Sequence, residues 1–184
     1  MKTAPRTPYA WLKQLDSVRL PVANAQHERV RKAVLDSRRS LREIAELMQD
    51  SPAIALVLLR EANRKGNSLS EPAESLEQAL TRLGLSRTEA LLNQIPALDE
   101  LQIPRELRQM QLISLHAAQQ AGGLFANRLA RLWQEIHWGS LLFFAPLWPL
   151  VYSYPQLFTE WEQRVLGKGE PAAQVERELL GIPL

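Results

Sequence analysis

Residues 40–63 read SLREIAELMQDSPAIALVLLREAN, and their spacing decides the fold. Ser40 and Glu43 stand three apart ahead of an apolar run. That is the capping-box pattern, in which each side chain bonds the other residue's backbone amide at a helix start. Leu41, Ile44, Leu47 and Met48 follow at three- and four-residue spacing, so they share one helix face. Ser51-Pro52 opens the next helix, because proline at the first helical position gives up an amide that has no partner there. Ile54, Val57, Leu58 and Ala62 form its inner face. Two amphipathic helices in tandem must bury their stripes against further elements, and the rest of the chain supplies helices.

Asn63 to Pro72, rich in Gly, Asn and Ser, reads as a loop. Ser75 with Gln78 makes a second capping box before Leu76, Ala79, Leu80 and Leu83, and Gly84 closes that helix as a left-handed cap. Ser86 with Glu89 predicts a third start, leading to Leu91, Leu92 and Ile95 before Pro96. A longer amphipathic segment begins near Pro104. Leu107, Met110, Leu115, Leu129, Leu132 and Trp133 mark its inner side, with Gly122-Gly123 as a bend or close-packing point. Pro155 starts a helix with Leu157, Phe158, Trp161 and Val165 that ends at Gly167. Pro171 starts a last one with Val175, Leu179 and Leu180, capped by Gly181. Period-two alternation is not sustained anywhere, so the expected class is all-α, a multi-helix bundle without a sheet of three or more strands.

Composition narrows the chemistry. The chain has 184 residues, 46% apolar and 23% charged, ordinary for a folded domain with a real core. It contains no cysteine, which excludes disulfides and thiol catalysis and points to a reducing, cytoplasmic setting. Lys2 and Arg6 are not followed by an apolar core, so no secretion signal is expected. The net charge of +2 is uneven: residues 1–95 carry 15 basic against 11 acidic side chains, and residues 96–184 carry 7 against 9. The one basic cluster is Arg29, Arg31, Lys32, Arg38, Arg39 and Arg42. No aromatic residue lies between Trp11 and Phe125, so the cluster has no stacking platform, and a nucleic-acid partner is not expected. It reads as a solvated helix face, with Arg38, Arg39 and Arg42 as a candidate interaction face. Residues 136–159 carry only His137 as a titratable side chain before the tyrosines, but Pro146, Pro149 and Pro155 interrupt them. A membrane-spanning helix is not expected there. The stretch from Trp138 to Tyr152 is expected to be core, with Phe143→Ala costing ~3–5 kcal/mol.

The order of these pieces resembles the HDOD domain, a non-catalytic relative of HD-type phosphohydrolases found in bacterial signalling proteins. Leu20-Pro21, then Ser40-Leu-Arg-Glu-Ile-Ala-Glu-Leu47, carry the first part of the match. Asp50-Ser-Pro-Ala-Ile-Ala-Leu-Val-Leu-Leu-Arg-Glu-Ala-Asn63 looks like that family's DPALAARLLRLAN helix. Ser75-Leu-Glu-Gln-Ala-Leu-Thr-Arg-Leu-Gly84 carries the third. The match covers about residues 18–95 well and the remainder in outline. It implies an extension over 1–17 and an HDOD-like domain over 18–184, with a first helical half to about 103 and a degenerate HD-like half from about 104. The family continues with further helices past the point matched by Gly181, so the chain is expected to be either a divergent short form or a truncated piece.

In catalytic HD relatives a first histidine, a His-Asp pair and a later aspartate bind the metal. The resemblance puts His116 near the first histidine and Trp148-Pro149 at the His-Asp pair. Neither tryptophan nor proline offers a ligand lone pair, and no acidic residue lies between Glu135 and Glu160. No metal, no cofactor and no catalytic residue is therefore expected. Glu135 lies two residues before His137, on another helix face, and cannot chelate with it. His27, His116 and His137 read as structural histidines. No nucleophile elbow, phosphate loop or dinucleotide fingerprint is present. Four of the five tryptophans, Trp133, Trp138, Trp148 and Trp161, crowd into the second half, either as core filling or as partner anchors. The expected function is a non-enzymatic signal-transduction or regulatory module that docks a protein partner or its own second copy. The alternative is a metal-free small-ligand or nucleotide sensor with a pocket near His116 and Trp148.

Overall fold

The computed structural model describes residues 5, 7–64, 71–125 and 132–181. Among these, helices dominate: α1 (Pro8–Asp16), α2 (Asn24–Leu35), α3 (Leu41–Gln49), α4 (Pro52–Asn63), α5 (Leu76–Leu92), α6 (Arg105–Phe125), α7 (Trp133–Leu142), α8 (Trp148–Ser153), α9 (Pro155–Glu162) and α10 (Ala172–Leu180). The extended structure is one two-residue parallel bridge, β1 (Val22–Ala23) to β2 (Ala97–Leu98), pairing Val22 with Ala97 and Ala23 with Leu98. The all-α expectation holds.

The stretch that decided the fold does so through its caps and stripes. Glu43 N–H donates to Ser40 Oγ at 3.2 Å and Ser40 N–H to Glu43 Oε2 at 2.7 Å, a complete capping box. Ile44 and Met48 of α3, and Ile54 and Leu58 of α4, are wholly buried. Asn63 then clamps the end of α4 to the strand of chain before α5. Its Oδ1 accepts from Ala73 N–H at 2.7 Å, and its Nδ2 donates to the Ala73 carbonyl at 3.1 Å. The second cap differs slightly from expectation. Gln78 N–H donates to Ser75 Oγ at 3.2 Å, but the Gln78 carbonyl reaches Glu74 N–H, one residue earlier than a box requires.

Gly84 ends the first of two helices that meet at a kink within α5, as the sequence predicts, though not as a left-handed cap. Its φ of 70° and ψ of 162° lie outside both the helical and the left-handed wells, a conformation glycine alone adopts at low cost. The turn after it is held by Thr88 Oγ1, which donates to the Gly84 carbonyl at 2.9 Å, not by the expected Ser86–Glu89 pair. The break moves the buried face from Leu76, Ala79 and Leu80 to Thr88, Leu91 and Leu92. Gly181 is the left-handed cap the sequence predicts, with φ 64° and ψ 25°.

His27 is structural, as expected. Its Nε2 lies 2.9 Å from the Leu92 carbonyl, which can only accept, so this nitrogen carries the proton. Trp11 ties the two ends of the chain together. Its ring is buried against Tyr154 with centroids 5.3 Å apart, and its Nε1–H donates to the Leu180 carbonyl at 3.0 Å. That carbonyl is one of the last of α10, which no helical amide can reach.

The second half corrects the sequence reading in part. Trp138, Leu141, Ala145, Trp148 and Val151 are core. Phe143, however, is 74% exposed and Leu147 43% exposed, and Leu132 is also exposed. The physical reason for Phe143 is helical phase: it keeps helical φ and ψ and lies two residues past buried Leu141, about 200° round the axis. A 3-10 turn at Ala145–Leu147 then separates α7 from α8. Leu129 lies outside the described residues, as does the Trp133 side chain.

Candidate functional site

α6 is the long helix on which the second half is assembled. Ile103, ahead of it, and its residues Leu107, Met110, Ser114 and Ala118 are buried at three- and four-residue spacing, and α7, α8 and α9 pack on it. Ser114 is accommodated there because its hydroxyl donates to the Met110 carbonyl at 3.1 Å. His116 lies off this buried stripe and is exposed. Trp148, at the start of α8, has no exposed surface, and Pro149 is half-buried. The histidine and the tryptophan therefore do not share a cavity. The indole Nε1–H of Trp148 is enclosed and is a donor only, so it cannot ligate a cation. Among the described residues no three His, Asp or Glu side chains come together. Trp148 and Pro149, which the resemblance aligns with the His-Asp pair, offer no donor atoms that fit a metal.

Trp138 and Trp148 fill core, and Trp161 is half-buried, stacked on Phe158 and donating its Nε1–H to Glu176 Oε1 at 3.1 Å. Among the described residues of this region the exposed aromatic ring is Phe143, not one of the tryptophans.

A pocket does exist, away from the expected place. A cleft of about 530 Å³ lies between α3, the start of α5, and α7. Arg42 and Glu46 of α3 line one wall, paired at 3.1 Å, with Ser75 and Glu77 on another and Gln134, His137 and Trp138 on the third. His137 is set edge-on to Trp138, with ring centroids 5.0 Å apart. Burial pushes its pKa below the ordinary 6.5, partly offset by a hydrogen bond to the Ala118 backbone. The unfolded chain thus takes up this proton more readily, so stability is lost as pH falls below 6.5. Between 6.5 and 4.5, before the carboxylates of the unfolded chain titrate, His137→Gln is expected to flatten the dependence of melting temperature on pH. Equal slopes for wild type and variant would contradict it.

The candidate interaction face is exposed. Arg38 pairs with Asp36 at 3.0 Å and Arg39 with the same carboxylate at 3.8 Å. The hydrogen bonds from Arg38 hold the Asp36 carboxyl below the ordinary 3.8. A second, smaller cleft of about 260 Å³ lies between α2 and α3, lined by Arg29, Lys32, Ala33, Asp36, Arg39 and Leu47. Neither cleft contains His116 or Trp148. Sequence periodicity could not find the larger one, because its walls come from three helices far apart in the chain.

The described residues form a multi-helix bundle with a single two-residue parallel bridge. The model of the HDOD domain family matches residues 20–183, nearly the whole chain, and the chain belongs to that family. No curated protein and no solved structure matches it. No helix among the described residues is long and apolar enough to cross a membrane.

Proposed function

We propose that this HDOD domain is a non-enzymatic regulatory module of a cytoplasmic signalling system, and that it docks another protein through the outer face of α6. The family is associated with signalling, which supports the first part. The observation that carries the second is the absence of charge. Residues 109–125 contain no Asp, Glu, Lys or Arg, yet Leu112, Ile113, Leu124 and Phe125 are 56%, 54%, 71% and 39% exposed. An outer helix face in a solvated protein normally carries charge, whereas depletion of charge beside exposed apolar side chains is the composition of an interface core. The replacement of the metal ligands supports a role without hydrolysis.

The test is a Leu112→Glu/Leu124→Glu double variant. Both residues point to solvent, so stability should change by less than ~1 kcal/mol. Capture of the native partner, or self-association measured by sedimentation, is expected to fall about tenfold or more. Unchanged association would remove the docking role from α6. Hydrolysis of a phosphodiester by the purified chain with a stoichiometric metal would remove the non-enzymatic reading. The cleft at His137 favours a second reading, a metal-free small-ligand sensor, because its volume of about 530 Å³ falls in the ligand-site range of roughly 300–1,000 Å³.

A further inference from the structure

The basic cluster has no part in the α6 face, and the structure places three of its members, Arg29, Lys32 and Arg39, around the smaller cleft. Between Arg29 and Arg42 the chain carries six Lys or Arg and one acid, Asp36. Arg29 and Lys32 come from one side of α2 and Arg39 from the turn before α3, the floor between them is Ala33 and Leu47, and the one acid in the lining, Asp36, is already paired with Arg38 and Arg39. The result is an apolar slot with a cationic rim. We propose that this slot receives an acidic segment of a protein partner, one aliphatic side chain seated on Ala33 and Leu47 with carboxylates on the rim.

Three features support this occupant. The rim cations are held loosely. Lys32 lies 3.7 Å from Glu28 with its side chain 75% exposed, and Arg39 lies 3.8 Å from Asp36 with its side chain 42% exposed. Exposed pairs of this kind are worth only ~0–1 kcal/mol, so exchanging them for a partner's carboxylates costs little. Arg29 makes no ion pair among the described residues. The slot itself is fixed in shape. Gln26 Nε2–H donates to the Leu47 carbonyl at 3.2 Å, tying α2 to α3, and Asp36 braces the turn by accepting from Arg38 N–H at 3.1 Å and Arg38 Nε–H at 3.0 Å. A preformed slot loses less entropy on binding. Finally, its size and chemistry suit an aliphatic side chain better than a nucleotide. The volume of about 260 Å³ is below the range of small-molecule sites, roughly 300–1,000 Å³, and no aromatic ring lines it for base stacking.

The inference rests on the reading of the chain as an interaction module but not on α6. Fluorescence anisotropy of a labelled glutamate-rich peptide with one central leucine, titrated with the full chain, tests it. Binding is expected, weakening with added salt. It should fall about tenfold or more in Arg29→Glu/Lys32→Glu, and about tenfold when the peptide's leucine becomes serine. Arg29→Ala/Lys32→Ala should show the same direction with a smaller loss, which guards against misfolding of the charge reversal. Leu112→Glu/Leu124→Glu should bind the peptide as the wild type does, even if the α6 reading fails. No binding by the wild-type chain, indifference to both groove variants, or equal affinity for a lysine-rich peptide each overturns the proposal. Tighter binding of oligothymidylate than of the peptide overturns it too, and gives the rim to nucleic acid instead.

Discussion

Trp148→Ala is expected to lower the melting temperature by roughly 6–20 °C, the equivalent of ~3–5 kcal/mol in a domain of this size. The ring has no exposed surface, and α8 packs through it on α6, so alanine leaves a cavity that helices on several sides cannot close. Phe143→Ala is the matched control. Both residues are large aromatics of the same apolar run, but Phe143 is 74% exposed, so its removal should change stability by less than ~0.5 kcal/mol. Thermal unfolding of the two variants by circular dichroism measures the contrast. Equal shifts would contradict the division of this run into a buried and an outward side.

Leu58→Ala should be nearly as costly, at ~2–5 kcal/mol. Leu58 sits wholly buried in α4, in the middle of the string that carries the family resemblance. Arg60→Ala, two residues on and exposed, should be within ~0.5 kcal/mol of wild type. The pair tests whether the string serves packing, as its burial implies, or partner contact. Urea unfolding separates the outcomes. A stable Leu58→Ala with lost association would mean that α4 is a binding surface.

Much of the first half was legible because its signals are local. A serine and a glutamate three residues apart bond each other whatever surrounds them, so Ser40–Glu43 forms as its spacing says. The α3 and α4 stripes need only a neighbouring helix, and the capping pattern supplies one close by in sequence. Ser75–Gln78 and Gly84 were nearly as legible. Their deviations, a donor shifted from Ser75 N–H to Glu74 N–H and an extended ψ, are small adjustments of the same local devices.

The aromatic half was less legible. Between Glu135 and Glu160 almost every side chain is apolar, so hydropathy gives no face, and Trp148 and Phe143 look alike in sequence. The prolines announce that the run must turn but not by how much. The phase of α7 turns Trp138 inward and Phe143 outward, and the 3-10 turn at Ala145–Leu147 leads the chain into buried Trp148. His116 illustrates the complementary failure. The resemblance aligns it with a ligand position, while helical phase puts Ser114 and Ala118 toward the core and leaves the imidazole outside.

The sequence by itself determined the class of fold and the family, since caps and stripes are properties of single residues and their spacing. The tertiary structure decided where surfaces lie. The cleft at His137 joins α3, α5 and α7. The charge-free α6 residues matter because their side of the helix is left uncovered, and the basic cluster becomes a slot because α3 places Leu47 beneath it. Each of these depends on residues brought together across the chain, and such pairings leave no period in a one-dimensional pattern.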